Sequence, residues 1–292
     1  MNTKTMKEYY VLTKSGLIFG NIITVIAGFL LASRGGVVNF VLLIATIIGI
    51  CFVMASGCVF NNYIDRDIDK LMERTKNRAL VHKRISARNA IIFATVLGLI
   101  GFITLAIYTN TLTVLLAAFG FFFYVVMYTM LFKRKSVYGT VVGAVSGAIP
   151  PVVGYCAVSN NLDMAAFILF LILLTWQIPH FFAIAIRREE DYKAAGIPVM
   201  PVKNGIHRTK ISMFTYIIEF MLASFLLSVY GYAGYTYFII ALVLGLAWLA
   251  LSVKGFYIKG AAADKLWARQ MFFLSLAVMV ILFVTISVGA LV

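Results

Sequence analysis

Charge-poor runs of about twenty residues recur along this chain, and each is long enough to cross the ~30 Å hydrocarbon core as a helix. They fall at 15–33, 37–60, 90–108, 112–132, 137–158, 164–186, 211–230, 233–253 and 271–291. Nine such runs predict an all-α polytopic membrane protein, since a lipid-embedded segment must satisfy its backbone groups internally. Only 12% of the 292 residues are charged and 62% are hydrophobic, whereas soluble domains carry about a quarter charged residues. The apolar run from Leu17 lacks a closing cleavage site and is expected to be a retained first helix.

The formal net charge of +14 would suggest nucleic acid on a soluble protein. Its distribution gives another reading. The connections alternate between long, basic segments and short, neutral ones. Three basic residues precede the first run, eight lie in 61–89, three in 133–136, six in 187–210 and four in 254–270. Thus 24 of the 25 Lys and Arg fall on one side, and only Arg34 on the other. By the positive-inside rule the N-terminus and the long loops face the cytoplasm and the C-terminus lies outside. The surplus is then topological, and no nucleic-acid partner is expected. Long loops follow the second and sixth runs, which suggests one domain over 1–292 with a pseudo-repeat of 15–132 and 137–253, plus a ninth helix.

The strongest local pattern is NNYIDRDID at 61–69. Asn61, Asp65 and Asp69 are spaced i, i+4, i+8, which puts three oxygen side chains on one face of a continuing second helix. With no cation on that face they would repel, and a bound divalent metal relieves this. Oxygen donors without His or Cys favour Mg²⁺, which shares its shell with substrate phosphates. Arg66, Lys70, Arg74, Lys76 and Arg78 follow closely, as a phosphorylated ligand would require. A solvated loop with ordinary charge pairs is the alternative. Asp67 points away from the trio and suits a surface pair.

The loop after the sixth run offers Asp191 as a further metal carboxylate with Arg188 on its substrate side; alternatively Glu189, Glu190 and Asp191 offset Arg187 and Arg188. Lys133 and Arg134 end the fourth run, where they either meet the same anion or serve as a stop signal. His180 is the one histidine inside a run, after Pro179. It reads as a satisfied interior residue, a substrate contact or a haem-iron ligand. Glu219, inside the seventh run, is a functional candidate by position alone. Cys51, Cys58 and Cys156 form no CxxC pair and read as small core residues.

Three segments carry a resemblance: NNYIDRDIDKLMERTKNRAL at 61–80, YTMLFKRKSVYGTVVGAVSGAIPPVVGY at 128–155 and WQIPHFFAIAIRREEDYKAAGIPVMPV at 176–202. With the nine-helix plan, they make the chain similar to the UbiA-type intramembrane prenyltransferase superfamily, and within it to the haem branch. The family's second paired-aspartate motif is reduced here to Asp191 after Glu190, and its Arg-Pro-Leu is Arg78-Ala79-Leu80. The resemblance implies transfer of farnesyl from farnesyl diphosphate to a vinyl group of protohaem IX (haem B), giving haem O. It also implies Mg²⁺ at Asn61, Asp65, Asp69 and Asp191, and diphosphate contacts from Arg66, Lys70, Arg74, Arg78, Lys133, Arg134 and Arg188. His180 would meet the haem. The setting implied is a bacterial inner membrane, with haem A synthase or terminal oxidase assembly as partners. The competing readings are a prenyltransferase of aromatic quinone precursors, a secondary transporter and a non-catalytic haem-binding assembly factor.

Overall fold

A computed structural model describes residues 3–291, all of them in helices or their connections. A short amphipathic helix, α1 (Thr3–Leu12), precedes the first span, α2 (Ser15–Ala32). The second span, α3 (Phe40–Ile64), is followed by one helical turn, α4 (Arg66–Asp69). The third span is α5 (Ala87–Tyr108). The fourth begins as α6 (Thr111–Phe122) and widens into a π-helical segment over Phe123–Phe132. The fifth is α7 (Gly139–Gly147) and α8 (Ile149–Ser159), divided where Pro150 and Pro151 start a new helical turn. The sixth is α9 (Met164–Arg187), with α10 (Glu189–Ala194) after it. The last three spans are α11 (Met200–Val229), α12 (Tyr235–Tyr257) and α13 (Ala261–Leu291).

The nine expected spans are therefore present among the described residues. The main differences lie at the basic-loop ends. There α11 begins at Met200 and α13 at Ala261, because polar helical turns continue beyond the apolar runs that marked the spans. Gly205, at φ 82°, breaks the first part of α11.

Two close helix crossings fix the bundle. A Cβ on Gly28 of α2 would run into the Pro151 carbonyl, and one on Gly154 of α8 into the Val25 carbonyl. Glycine on both sides lets these backbones touch. Likewise, a Cβ on Gly101 of α5 would sit 2.7 Å from the Gly49 carbonyl oxygen of α3. The largest core cluster joins α8 and α9 to α11, α12 and α13, around the buried Trp248 and Trp267. Arg34 closes the opposite end by donating to the carbonyls of Gly231 and Tyr232, at 3.2 and 3.1 Å.

Candidate active site

The second span outruns its apolar stretch and stops at Asp65, where φ −85° and ψ 0° leave the helix. Helical sense nonetheless carries through: Asp65 N–H donates to Asn61 O at 2.9 Å, and Asp69 N–H to Asp65 O at 2.8 Å. Asn61, Asp65 and Asp69 thus remain one turn apart, and all three are buried. Asn61 Nδ2 donates to Asp65 Oδ2 at 2.8 Å and to Thr129 Oγ1 of the π-helical segment at 3.0 Å.

The expectation that this face lacks compensating cations is corrected. Lys14 Nζ donates to Asn61 Oδ1 at 2.5 Å, Lys133 pairs with Asp65, and Arg78 Nη1 holds Asp69 Oδ2 at 2.6 Å. Lys14 and Lys133 come from other chain segments, so the spacing of the trio could not reveal them, whereas Arg78 lies nine residues beyond Asp69 in the same loop. Burial, with Arg78 and Lys133 nearby, lowers the Lys14 ammonium to about 8.

The donor set fits a hard divalent cation. It offers oxygens only, and Asp65 Oδ1 is buried without a hydrogen-bond partner. Among the described residues, however, no three His, Cys, Asp or Glu side chains gather into a metal-sized group. A cation there would need the Asn61 amide and substrate phosphates to complete its shell. Asp191, the fourth expected metal ligand, is engaged by the other basic loop through one oxygen. Its Oδ1 accepts from the Glu73 N–H at 2.9 Å and ties the two basic loops together. Its neighbours do not offset Arg187 and Arg188: Glu189 pairs with Lys193 and Glu190 with Lys265.

Asn61 and Asp69 open onto a polar pocket of about 220 Å³, with Lys14, Arg74, Arg78 and Lys133 around it and Tyr124, Tyr128 and Tyr192 as aromatic walls. Three of the seven expected diphosphate cations, Arg74, Arg78 and Lys133, are brought together there. The other four are not. Arg66 lies over the Tyr63 ring at 4.2 Å and bonds the Tyr63 carbonyl. Lys70 and Arg188 are exposed outside the pocket. Arg134 is held by both oxygens of Asp67 at 2.7 Å and by the Ile64 carbonyl at 2.8 Å. That fork gives Asp67 its surface partner and keeps the Asp67 carboxyl below its usual range.

Beneath the polar pocket lies an apolar cavity of about 380 Å³. The two share Leu17, Tyr124, Gly143, Phe181 and Ile184, so charge and grease meet at one junction. Its walls are thinned by Gly57, Gly120 and Gly147; a Cβ on Gly147 would collide with the Gln177 side chain. His180 lines this cavity, seven residues inside the end of α9, or about 10 Å along the helix axis. Pro179 sits within that helix without ending it. Glu219 is exposed on α11 and lines neither space.

The model of the "UbiA prenyltransferase family" matches residues 21–277. The chain belongs to the UbiA prenyltransferase family. This UbiA prenyltransferase is 52% identical to "Protoheme IX farnesyltransferase" of Sodalis glossinidius, over 97% of this chain and 94% of that one. It is 50% identical to the protein of the same name from Edwardsiella ictaluri, with the same coverage. Among solved structures, one described as bearing on digeranylgeranylglyceryl phosphate synthase in membranes matches with a TM-score of 0.80. It is 20% identical, with 99% of each chain covered. A UbiA homolog from Archaeoglobus fulgidus bound to GPP and Mg²⁺ matches with a TM-score of 0.67 and 16% identity, over 93% of this chain and 99% of that one. Both likenesses concern the fold.

Sequence reasoning missed Lys14, Tyr124, Tyr128 and Tyr192 in this UbiA prenyltransferase's pocket. Lys14 was counted only for topology. Its one signal is its place directly against an apolar run, where a cation must lie at the rim of the bundle. Tyr124 and Tyr128 sit in an aromatic-rich stretch and Tyr192 in a charged loop, where nothing marks them out.

Proposed function

We propose that the chain transfers the farnesyl group of farnesyl diphosphate to a vinyl group of protohaem IX, forming haem O and releasing diphosphate. The observation that carries this reading is the junction of a cation-lined polar pocket with an apolar cavity containing a single histidine. Identity of about one half to proteins named for that reaction supports it.

Asn61, Asp65 and Asp69 hold Mg²⁺, which when bound neutralises the departing diphosphate. Arg74, Arg78, Lys133 and Lys14 take the remaining phosphate charge. The apolar cavity receives the tail and keeps water from the allylic cation developing at C1. Tyr124 stands at the junction, with Tyr128 stacked on it at 6.0 Å, where that positive charge appears. A vinyl carbon attacks C1, diphosphate leaves, and water adds to the resulting cation with loss of a proton, leaving a hydroxyl. His180 meets the haem, whose propionates turn to the basic rim. That rim faces the cytoplasm of a bacterial cell, with the N-terminus on the same side, and the product supplies haem A synthase or oxidase assembly.

The test is purified protein with farnesyl diphosphate and Mg²⁺, given protohaem and an aromatic quinone precursor together as acceptors, and products read by mass. The expected product is protohaem plus farnesyl and hydroxyl. Asp69→Asn should insert and fold but yield none. A prenylated aromatic quinone precursor as the sole product would refute the acceptor, and full turnover with all divalent metal chelated would refute the metal role.

A further inference from the structure

His180 is held on three sides. Its ring stacks on Trp176 at 4.8 Å and 22°, and on Phe272 at 4.9 Å and 30°. Its Nδ1 lies 2.7 Å from Ser275 Oγ. Ser275, on α13, is fully buried. His180 and Trp176 line the apolar cavity, whereas Phe272 and Ser275 stand behind them. The Nδ1 edge of the imidazole therefore faces away from the cavity and the opposite edge faces into it.

Satisfying both Ser275 bonds at once points to one tautomer. The Ser275 hydroxyl has one proton, and Oγ donates it to the Phe272 carbonyl at 2.6 Å. Toward His180, Ser275 Oγ has only a lone pair to offer. The shared bond then requires His180 Nδ1 to carry the proton, which leaves Nε2 with its lone pair. The same residue's backbone carbonyl accepts from Trp176 Nε1–H at 2.8 Å, so Ser275 also sets the ring stacked on the imidazole.

We propose that Ser275 is a positioning residue that holds His180 as the Nδ1–H tautomer and presents Nε2 to the cavity as an axial ligand for haem iron. This rests on the haem reading of the preceding section and adds the residue that makes it work. A neutral nitrogen lone pair in a mainly apolar cavity walled by Trp176, Phe121, Tyr124 and Phe181 suits a flat macrocycle with a central metal. Partners that fix a ligating histidine's other nitrogen change metal affinity about 10–100-fold.

The experiment titrates protohaem into wild type, Ser275→Ala, Ser275→Thr and His180→Ala in detergent. It follows the Soret and visible bands, with farnesyl diphosphate binding as a separate readout. Alanine keeps the Trp176 bond, because that bond uses the backbone. Expected is a 10–100-fold weaker haem affinity in Ser275→Ala with loss of the imidazole-ligated spectrum. Threonine should restore both, and farnesyl diphosphate binding should be unchanged in the two Ser275 variants. A Ser275→Ala titration identical to wild type, while His180→Ala loses the signature, overturns the role of Ser275 alone. An unchanged His180→Ala overturns the ligand reading beneath it. Equal loss of haem and farnesyl diphosphate binding in Ser275→Ala means packing rather than positioning, and also overturns the proposal.

Discussion

The pair of Asp65 and Lys133 separates what the site does for stability from what it does for chemistry. The Asp65 side chain is 1% exposed and the Lys133 side chain 14%, so neither charge is well hydrated. Lys133→Met removes one partner and leaves a buried carboxylate. Such a break costs about 3–5 kcal/mol. Arg134 Nη2, 3.6 Å from Asp65 Oδ1, keeps part of the compensation, which puts the expected loss near the lower end, about 3 kcal/mol. Asp65→Asn keeps the shape and leaves Lys133 free to turn toward solvent, so its cost is smaller, about 1 kcal/mol. In the double variant no charge is stranded, and stability should return close to that of Asp65→Asn. The coupling should then reach about 2–3 kcal/mol. Folded fraction against denaturant in detergent measures the cycle, with farnesyl transfer assayed on the same samples. The stable double variant should remain inactive. Losses that add within ~0.5 kcal/mol would refute the argument, since independent sites behave that way.

Three further outcomes follow from the geometry. Arg74→Ala should raise KM for farnesyl diphosphate about 10–100-fold, the worth of a charge-assisted hydrogen bond, while Arg66→Ala, whose guanidinium covers Tyr63, should leave KM unchanged; steady-state kinetics of the two decides. Gly154→Ala should cost about 3 kcal/mol or more, because the added methyl meets the Val25 backbone rather than a movable side chain; a thermal shift near zero in detergent would contradict this. Asp67 titrates below its usual range through Arg134, so its contribution is present at neutral pH and is lost as pH falls through the folded value. The exposed position keeps the effect small, and the melting difference between wild type and Asp67→Asn should shrink from pH 7 to pH 3.

Lipid solvation made the architecture legible. A span must be apolar for its whole length, so runs of residues report helices directly, and all nine runs became spans. What the runs could not carry was the polar turns prolonging α11 and α13, or the π-helical end of the fourth span. Those depend on tertiary bonds such as that between Thr129 and Asn61. The candidate site was legible where its residues are neighbours on one helix. Asn61, Asp65 and Asp69 announced themselves by spacing, and Asp67 by pointing away. It was illegible where partners come from afar. Lys14 and Lys133 lie 47 and 68 residues from the groups they hold, and no local pattern encodes such a pairing. Proximity in sequence also misled. Arg66 and Lys70 stand close to the trio along the chain yet turn away from the pocket, Arg134 beside Lys133 turns to Asp67, and Asp191 gives one carboxylate oxygen to the Glu73 amide.

The glycine crossing between α2 and α8 has a consequence for how the protein comes into being. Gly28 meets the Pro151 backbone and Gly154 the Val25 backbone, with three complete spans threaded between α2 and α8 in the chain. The apolar cavity, walled in part by Gly20 of α2 and Pro150 of α8, cannot close until the fifth span has entered the bilayer, and His180 arrives one span later still. Ser275 comes last of all, on the ninth. A ribosome that has released only the first half of this protein has made Asn61, Asp65, Asp69 and the cations that hold them without the finished apolar cavity, so the chain acquires its polar pocket and its greasy chamber in a fixed order of synthesis.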